Sequence, residues 1–317
     1  MLASIIRRNI FNFAAVKRKK QVISNVPVTG YAAEGKALAR IEGKVIFIEG
    51  AVPGDVVDVA ITRNKKDWAE GKVIKINEFS AERVTPFCIH FGICGGCKWQ
   101  MLPYIKQLEY KEQEVKDVFQ RIGKIKDASV LPILGSEKII HYRNKLEFTF
   151  SNKKYLTEGE FKEMGEDKWP GGALGYHVPR LYDKVIDIEE CWLMDDVNNI
   201  IRNGLREFSE KNDYSYYDIK EHKGFLRNII IRYCTTGELM INIVLGHEDK
   251  EQREKICNYL LGIVPQITTL LYTLNPKWND SLNDLEQKIF YGKGYVIEKL
   301  GEFNFKISAK SFFQTNT

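Results

Sequence analysis

Three of the six cysteines in this 317-residue chain fall in the ten positions from Cys88 to Cys97, within the run CIHFGICGGCK. A Cys-x5-Cys-x2-Cys spacing lets three sulfurs converge on one point, because Gly95 and Gly96 allow the backbone to fold tightly round them. The competing reading is a small turn of buried, reduced thiols, which is common for isolated cysteines. Three together in a glycine-bearing segment favour a metal or cluster site and call for a fourth donor. Cys191, in VIDIEECWLM, is the candidate, since the last ligand of such a site often comes from a distant strand or turn. Cys234 falls in a strand-like run and Cys257 on a helix-like face, and both are expected as core residues. Sulfur chemistry alone leaves zinc and an iron–sulfur cluster open, as both accept tetrahedral thiolate ligation.

The length argues for two or three domains. A hydrophobic content of 44% excludes wholesale disorder, and no apolar run approaches the ~18 residues a membrane span needs. Unevenly clustered cysteines without a secretory signal point to a reducing, cytoplasmic setting. The net charge of +5 permits a polyanionic partner without requiring one. The charge is concentrated at the start, where Arg7, Arg8, Lys17, Arg18, Lys19 and Lys20 occur with no acid. That stretch reads as a basic arm or an unstructured start ahead of a targeting peptide.

From Val22 to Ile76 short apolar runs alternate with turn signals at Glu42-Gly43 and Pro53-Gly54-Asp55, the spacing of a small five-stranded oligonucleotide-binding barrel. Arg63, Lys65, Lys66 and Trp68 fall together on one expected hairpin loop, a pattern that suits phosphate contact and base stacking as well as it suits an ordinary solvated loop. Through its Gly50-x-x-Pro53-Gly54-Asp55 turn the stretch resembles the TRAM domain, an RNA-binding barrel found on several RNA-modifying enzymes.

After the cysteine segment, the pattern predicts a helix over 103–123. Ile105, Leu108, Val115, Val118, Phe119 and Ile122 lie on one face, and Glu112/Lys116 and Asp117/Arg121 are i, i+4 pairs. Beyond Ser129 the pattern is mixed: strands are expected at Leu146–Phe150, Ile229–Tyr233 and Leu239–Val244, and helices at Val197–Asn212 and Lys250–Leu261. Arg143, Lys145, Arg180 and Arg227 stand at strand mouths or turns, positions that serve either surface ion pairing or phosphate contact.

The barrel, the Cys88, Cys94, Cys97 and Cys191 set, the YRNK segment, LNPKWND at Leu274 to Asp280 and the ending FKISAKSFFQTNT together resemble the RNA uracil-5-methyltransferase family, nearest its bacterial 23S rRNA branch. The resemblance implies a 4Fe–4S cluster on the four cysteines, S-adenosyl-L-methionine as methyl donor, and RNA, 23S rRNA first, as partner. It further implies that Gln314 meets the donor and the reacting uridine and that Phe312 helps build that pocket. Methylation of uracil C5 needs a nucleophilic Cys at C6 and a base for the C5 proton. The family places these, with a glycine-rich strand–turn–helix, beyond the FFQTN segment, and no such run follows Ser308. The expected fold is therefore α+β multidomain. A basic extension covers 1–21, a TRAM-like OB-fold barrel 22–82, and a central α+β domain with the four-cysteine cluster 83–304. Only the start of a Rossmann-like methyltransferase domain follows, at 305–317. On this reading the chain is a monomeric, membrane-free, RNA-binding and cluster-bearing portion of a methyltransferase, inactive by itself. The alternative is a freestanding RNA-binding iron–sulfur or zinc protein.

Overall fold

The computed structural model describes residues 21–164 and 171–317; the basic stretch 1–20 lies outside the described residues. The chain divides into two compact units, Met1–Arg83 with Tyr110–Ala128 and Val84–Glu109 with Ser129–Thr317.

In the first unit, strands β1 (Val22–Pro27), β2 (Gly30–Tyr31), β3 (Ala37–Ile41), β4 (Lys44–Glu49), β5 (Val56–Asn64) and β6 (Trp68–Glu78) form a curled sheet in the order β1-β5-β6-β4-β3-β2. All pairs are antiparallel except β4 with β6. Alternate residues of each strand point inward, so Val26, Ala39, Ile46, Ile48, Val57 and Val59 build one apolar core. Gly71 on β6 is required there, because a Cβ would stand 2.2 Å from Val59 Cγ1. The Gly50 to Asp55 turn is more than a chain reversal. The Asp55 carboxylate is buried and accepts from Val52 N (2.7 Å), Ser80 N (2.9 Å) and, through both oxygens, the Arg83 guanidinium (2.9–3.1 Å). Arg83 also donates to Gly50 O, so one ion pair ties the turn to the segment leaving the sheet.

Helix α1 (Tyr104–Asp117) runs on through a wider turn, Val118–Ile122, and stops at Gly123. Both expected ion pairs form, Glu112–Lys116 at 2.5 Å and Asp117–Arg121 at 3.4 Å. The apolar stripe does not find a core: Ile105, Val115, Val118, Phe119 and Ile122 are exposed. Periodicity reports a face; it does not supply a partner for it.

The second unit is a seven-stranded sheet of β7 (Lys145–Ser151), β8 (Ala173–Val178), β9 (Leu181–Asp187), β10 (Leu226–Tyr233), β11 (Leu239–Leu245), β12 (Ile267–Leu274) and β13 (Gln287–Gly292), ordered β13-β12-β11-β10-β7-β8-β9. Its one parallel pair, β11 with β12, is joined through a helix, as a parallel connection requires. That helix, α4 (Lys250–Ile263), packs beside α3 (Val197–Lys211), and a short α2 (Glu158–Met164) precedes β8. Ile201 and Leu205 of α3 and Ile256 and Leu260 of α4 meet Ile229, Ile231, Ile241 and Ile243 in the main core. A separate apolar cluster is completed by the hairpin β14 (Tyr295–Leu300)/β15 (Phe303–Ser308), whose Val296 and Ile307 meet Met240 and Leu271.

The strands expected at Leu146–Phe150, Ile229–Tyr233 and Leu239–Val244 and the helix at Lys250–Leu261 lie within observed elements, the helices expected at 103–123 and Val197–Asn212 end within a residue of the observed ones, and the barrel expected with five strands has six. Cys257 is buried on α4; Cys234 is buried too, but in the β10–β11 turn, where its N–H donates to Glu238 O. The expectation for the last residues is corrected as well. Residues 305–317 are not the isolated start of another domain: β15 pairs along its length with β14, Asn144 Nδ2 donates to Gln314 O at 2.8 Å, and Asn144 N donates to Thr315 O at 2.8 Å. The mixed α+β structure continues to Thr317.

Candidate nucleic-acid interface

The β5–β6 hairpin gathers the four residues expected to meet RNA in the first unit. Lys65 N donates to Trp68 O at 2.9 Å and closes the loop. Arg63, Lys65 and Lys66 are exposed, and Trp68 is half-buried with its ring edge-on to Phe47 at 6.3 Å. The Arg63 guanidinium lies 4.9 Å from the centre of the Trp68 ring, a cation–π contact that holds the charge at the tip. The result is a hairpin tip with three exposed cations, one of them set against an aromatic ring, able to meet phosphates.

The second unit treats its expected contacts differently. Arg143 gives its N–H to Leu193 O at 2.7 Å, bridges to Asn316, and acts electrostatically on Cys97 and Tyr176. Lys145 opens β7 with its ammonium 4.0 Å from Glu147, whose acidity burial weakens and Lys145 partly restores. Arg180 is exposed in the left-handed region (φ 72°) of the β8–β9 turn. Arg227 is corrected: at 2% exposure it presents nothing to a polyanion. Its Nη1 donates to Asn275 O and Lys277 O at 2.7 and 2.6 Å, its Nη2 donates to Asn279 O and the Asp280 carboxylate at 3.2 and 2.7 Å, and the guanidinium lies 3.9 Å from the Tyr217 ring centre. It clamps the 275–280 loop. Phe312, 87% exposed, and Gln314, also exposed, stand on the C-terminal segment.

Cys88, Cys94, Cys97 and Cys191 do come within electrostatic range of one another. Burial pushes the Cys94 thiol up to about 11 against the pull of the Gly96 N–H, and moves Cys97 and Cys191 the same way. The turn at Cys191 is tightly held: its N–H donates to Asn199 Oδ1, and the wholly buried Arg202 donates to Ile188 O, Glu189 O and the carboxamides of Asn198 and Asn199. His90 Nε2 accepts from Glu189 N at 3.1 Å, tying the cysteine segment to this turn. Yet among the described residues no group of three or more His, Cys, Asp or Glu side chains can hold a metal ion. The expected 4Fe–4S cluster, and its zinc alternative, are therefore corrected. Burial favours the thiol form of Cys94, Cys97 and Cys191, whose sulfurs bond to Gly96, Gln100 and Tyr176 respectively, whereas metal ligation uses thiolates.

Sequence reasoning missed three features. The Asp55–Arg83 pair and the Arg202 hub carry no local signal, since each joins residues distant in the chain to a buried partner. The third is an exposed stack of His222 on Trp278, rings 4.7 Å apart and 3° from parallel; the only available hint was a tryptophan inside a loop of turn-forming residues.

The TRAM domain family matches residues 21–74. An uncharacterized RNA methyltransferase of Bacteroides thetaiotaomicron is 46% identical over 290 residues, 90% of this chain and 63% of that protein. Another from Porphyromonas gingivalis is 43% identical, over 92% of this chain and 63% of its own length. The crystal structure of Pyrococcus abyssi tRNA (uracil-54, C5)-methyltransferase in complex with S-adenosyl-L-homocysteine superimposes with a TM-score of 0.62 at 24% identity, over 92% of this chain and 61% of that one. The chain thus spans about 63% of the length of the relatives it matches. Likeness to proteins described as RNA methyltransferases runs along nine-tenths of the chain, which corrects the expectation of an RNA-binding and cluster-bearing portion holding only the start of such a protein, and its alternative of a freestanding metalloprotein. Among the described residues no helix is long and apolar enough to cross a membrane. Residues 21–74 match the TRAM domain, and along 90% of its length the chain is similar to proteins described as RNA methyltransferases.

Proposed function

We propose that this protein is an RNA methyltransferase that engages RNA through the tip of its β5–β6 hairpin. The observation that carries the reading is the exposure of Arg63, Lys65 and Lys66 on the hairpin that also holds Trp68, within the segment that matches the TRAM domain. The likeness to RNA methyltransferases supports the reaction class. In this reading Phe312 and Gln314 are the contacts for S-adenosylmethionine and the acceptor nucleoside, and Arg143, Lys145 and Arg180 are further phosphate contacts. The partner is 23S rRNA, bound by a monomer in the cytoplasm.

Two measurements on the full chain test it. Anisotropy titrations with 23S rRNA and tRNA fragments should give tight binding whose logarithm falls linearly with the logarithm of salt. Removing all three hairpin cations should lower that slope by about 2, at ~0.7 per single-stranded phosphate contact. Binding that ignores salt, or a triple variant indistinguishable from wild type, would remove the hairpin from the reading; preference for tRNA would move the partner. Incubation with RNA and S-adenosylmethionine carrying a labelled methyl group should place label in RNA, and no incorporation would overturn the reaction class.

A further inference from the structure

The loop clamped by Arg227 presents a large aromatic ring to solvent. Trp278 is 76% exposed, although the residues on either side of it are held by hydrogen bonds. Besides the four Arg227 hydrogen bonds, Asn275 Nδ2 donates to Asn279 O at 2.9 Å and Asn275 Oδ1 accepts from Lys277 N at 3.1 Å. One face of the indole rests on the His222 imidazole at 4.7 Å and 3°. The other is left to water.

The imidazole is fixed as well. His222 lies in a tight turn at φ 54°, where its N–H donates to Asp218 O, and its Nδ1 is 3.4 Å from the Tyr217 hydroxyl, which also reaches Lys277 O. Asp218 anchors that turn by accepting from Lys220 N and Glu221 N and from the side chains of Asn152 and Lys153. Gly224 closes it because a Cβ there would fall 2.4 Å from Tyr216 O. Thus Arg227, Tyr217, His222 and Trp278 form one connected series from the core to the surface, and Lys223 stands exposed beside its outer end.

Scattered exposed apolar residues need no explanation, but they are not usually held by a fully buried arginine whose hydrogen bonds all serve one loop. Holding the ring still removes the ordering cost that a planar ligand would otherwise meet on binding. We infer that the Trp278 face, backed by His222, is a stacking platform for an unpaired nucleobase of bound RNA, a second contact separate in chemistry from the hairpin cations. It rests on the RNA-binding reading above. Stacking of this kind accepts any base, since every base has a π face, and releases no counterion.

The test uses the full chain and a short single-stranded RNA carrying 2-aminopurine. Wild type should bind it and quench its fluorescence by stacking. Trp278→Ala should weaken binding at least about fivefold and abolish part of the quenching without altering the salt slope. Trp278→Phe should keep most of both, and His222→Ala should lie between. Because Trp278 is exposed, these variants should melt as wild type does, and that melt shows that a loss of binding is not a loss of fold. If Trp278→Ala binds and quenches like wild type while the hairpin variants fail, the platform is overturned and the RNA reading stands. If wild type binds no RNA, both fall.

Discussion

Arg63 and Arg227 have nearly the same local grammar: each is a cation at the end of a strand, close to an aromatic residue. Their surroundings make them opposites. Arg63 sits at a hairpin tip whose own backbone is satisfied by the β5–β6 ladder, so its guanidinium rests on Trp68 and keeps its donors for something outside. Arg227 faces a loop with no ladder, and its two Nη groups are engaged by three carbonyls and a carboxylate. What decides the role of a strand-end arginine is whether an irregular segment nearby has acceptors to satisfy.

Arg227→Ala should therefore produce the largest change. Removing it leaves the Asn275, Lys277 and Asn279 carbonyls short of donors and a void against Tyr217, for a loss of about 3–5 kcal/mol in stability by denaturant unfolding. Arg227→Lys should recover little, since an ammonium cannot fork to several carbonyls at once. Arg63→Ala should shift the same curve by less than about 0.5 kcal/mol while weakening RNA binding. Equal effects on stability would erase the distinction between the two sites. In the first unit Arg83→Ala sharpens the contrast, because Asp55 keeps its two backbone donors but loses its counter-charge; a destabilisation of about 3 kcal/mol is expected, and an unchanged melt would show that the backbone N–H groups suffice.

The elements themselves were legible wherever one periodicity ran long enough. Leu239 to Leu245 is apolar except for Asn242 and lies buried in the middle of the sheet, and α3 and α4 carry buried apolar residues. The grouping of Arg63, Lys65, Lys66 and Trp68 on one hairpin was legible because all four are neighbours in sequence. What escaped were features made by long-range pairing. Asp55 and Arg83 lie on either side of two strands, Arg202 reads as one more cation on an amphipathic helix, and Arg227 reads as a surface residue until the 275–280 loop is placed against it. The cysteine segment misled for the complementary reason: spacing brings sulfurs within electrostatic range of one another, but it does not report whether they form a metal-holding group, and among the described residues they do not.

A pH-dependent effect extends the comparison to a buried group set among hydrocarbon. Arg227 is buried among acceptors; Cys257 is buried among hydrocarbon, which pushes its thiol up to about 12 from an ordinary 9.0, with Arg253 pulling weakly the other way. Between those values the folded chain keeps a proton that the unfolded chain gives up, so rising pH favours unfolding. The contribution of the neutral thiol is whole below pH 9 and is lost as pH climbs toward 12, at no more than about 1.4 kcal/mol per pH unit. Tyrosines and lysines titrate over the same range, which makes the useful quantity a difference. Cys257→Ala should unfold more easily than wild type at pH 8 through its small cavity, and the gap between the two should narrow, then reverse, as unfolding is followed toward pH 11. A gap that stays constant would mean that water reaches Cys257 in the folded protein, and that burial on α4 does not isolate it as burial isolates Arg227.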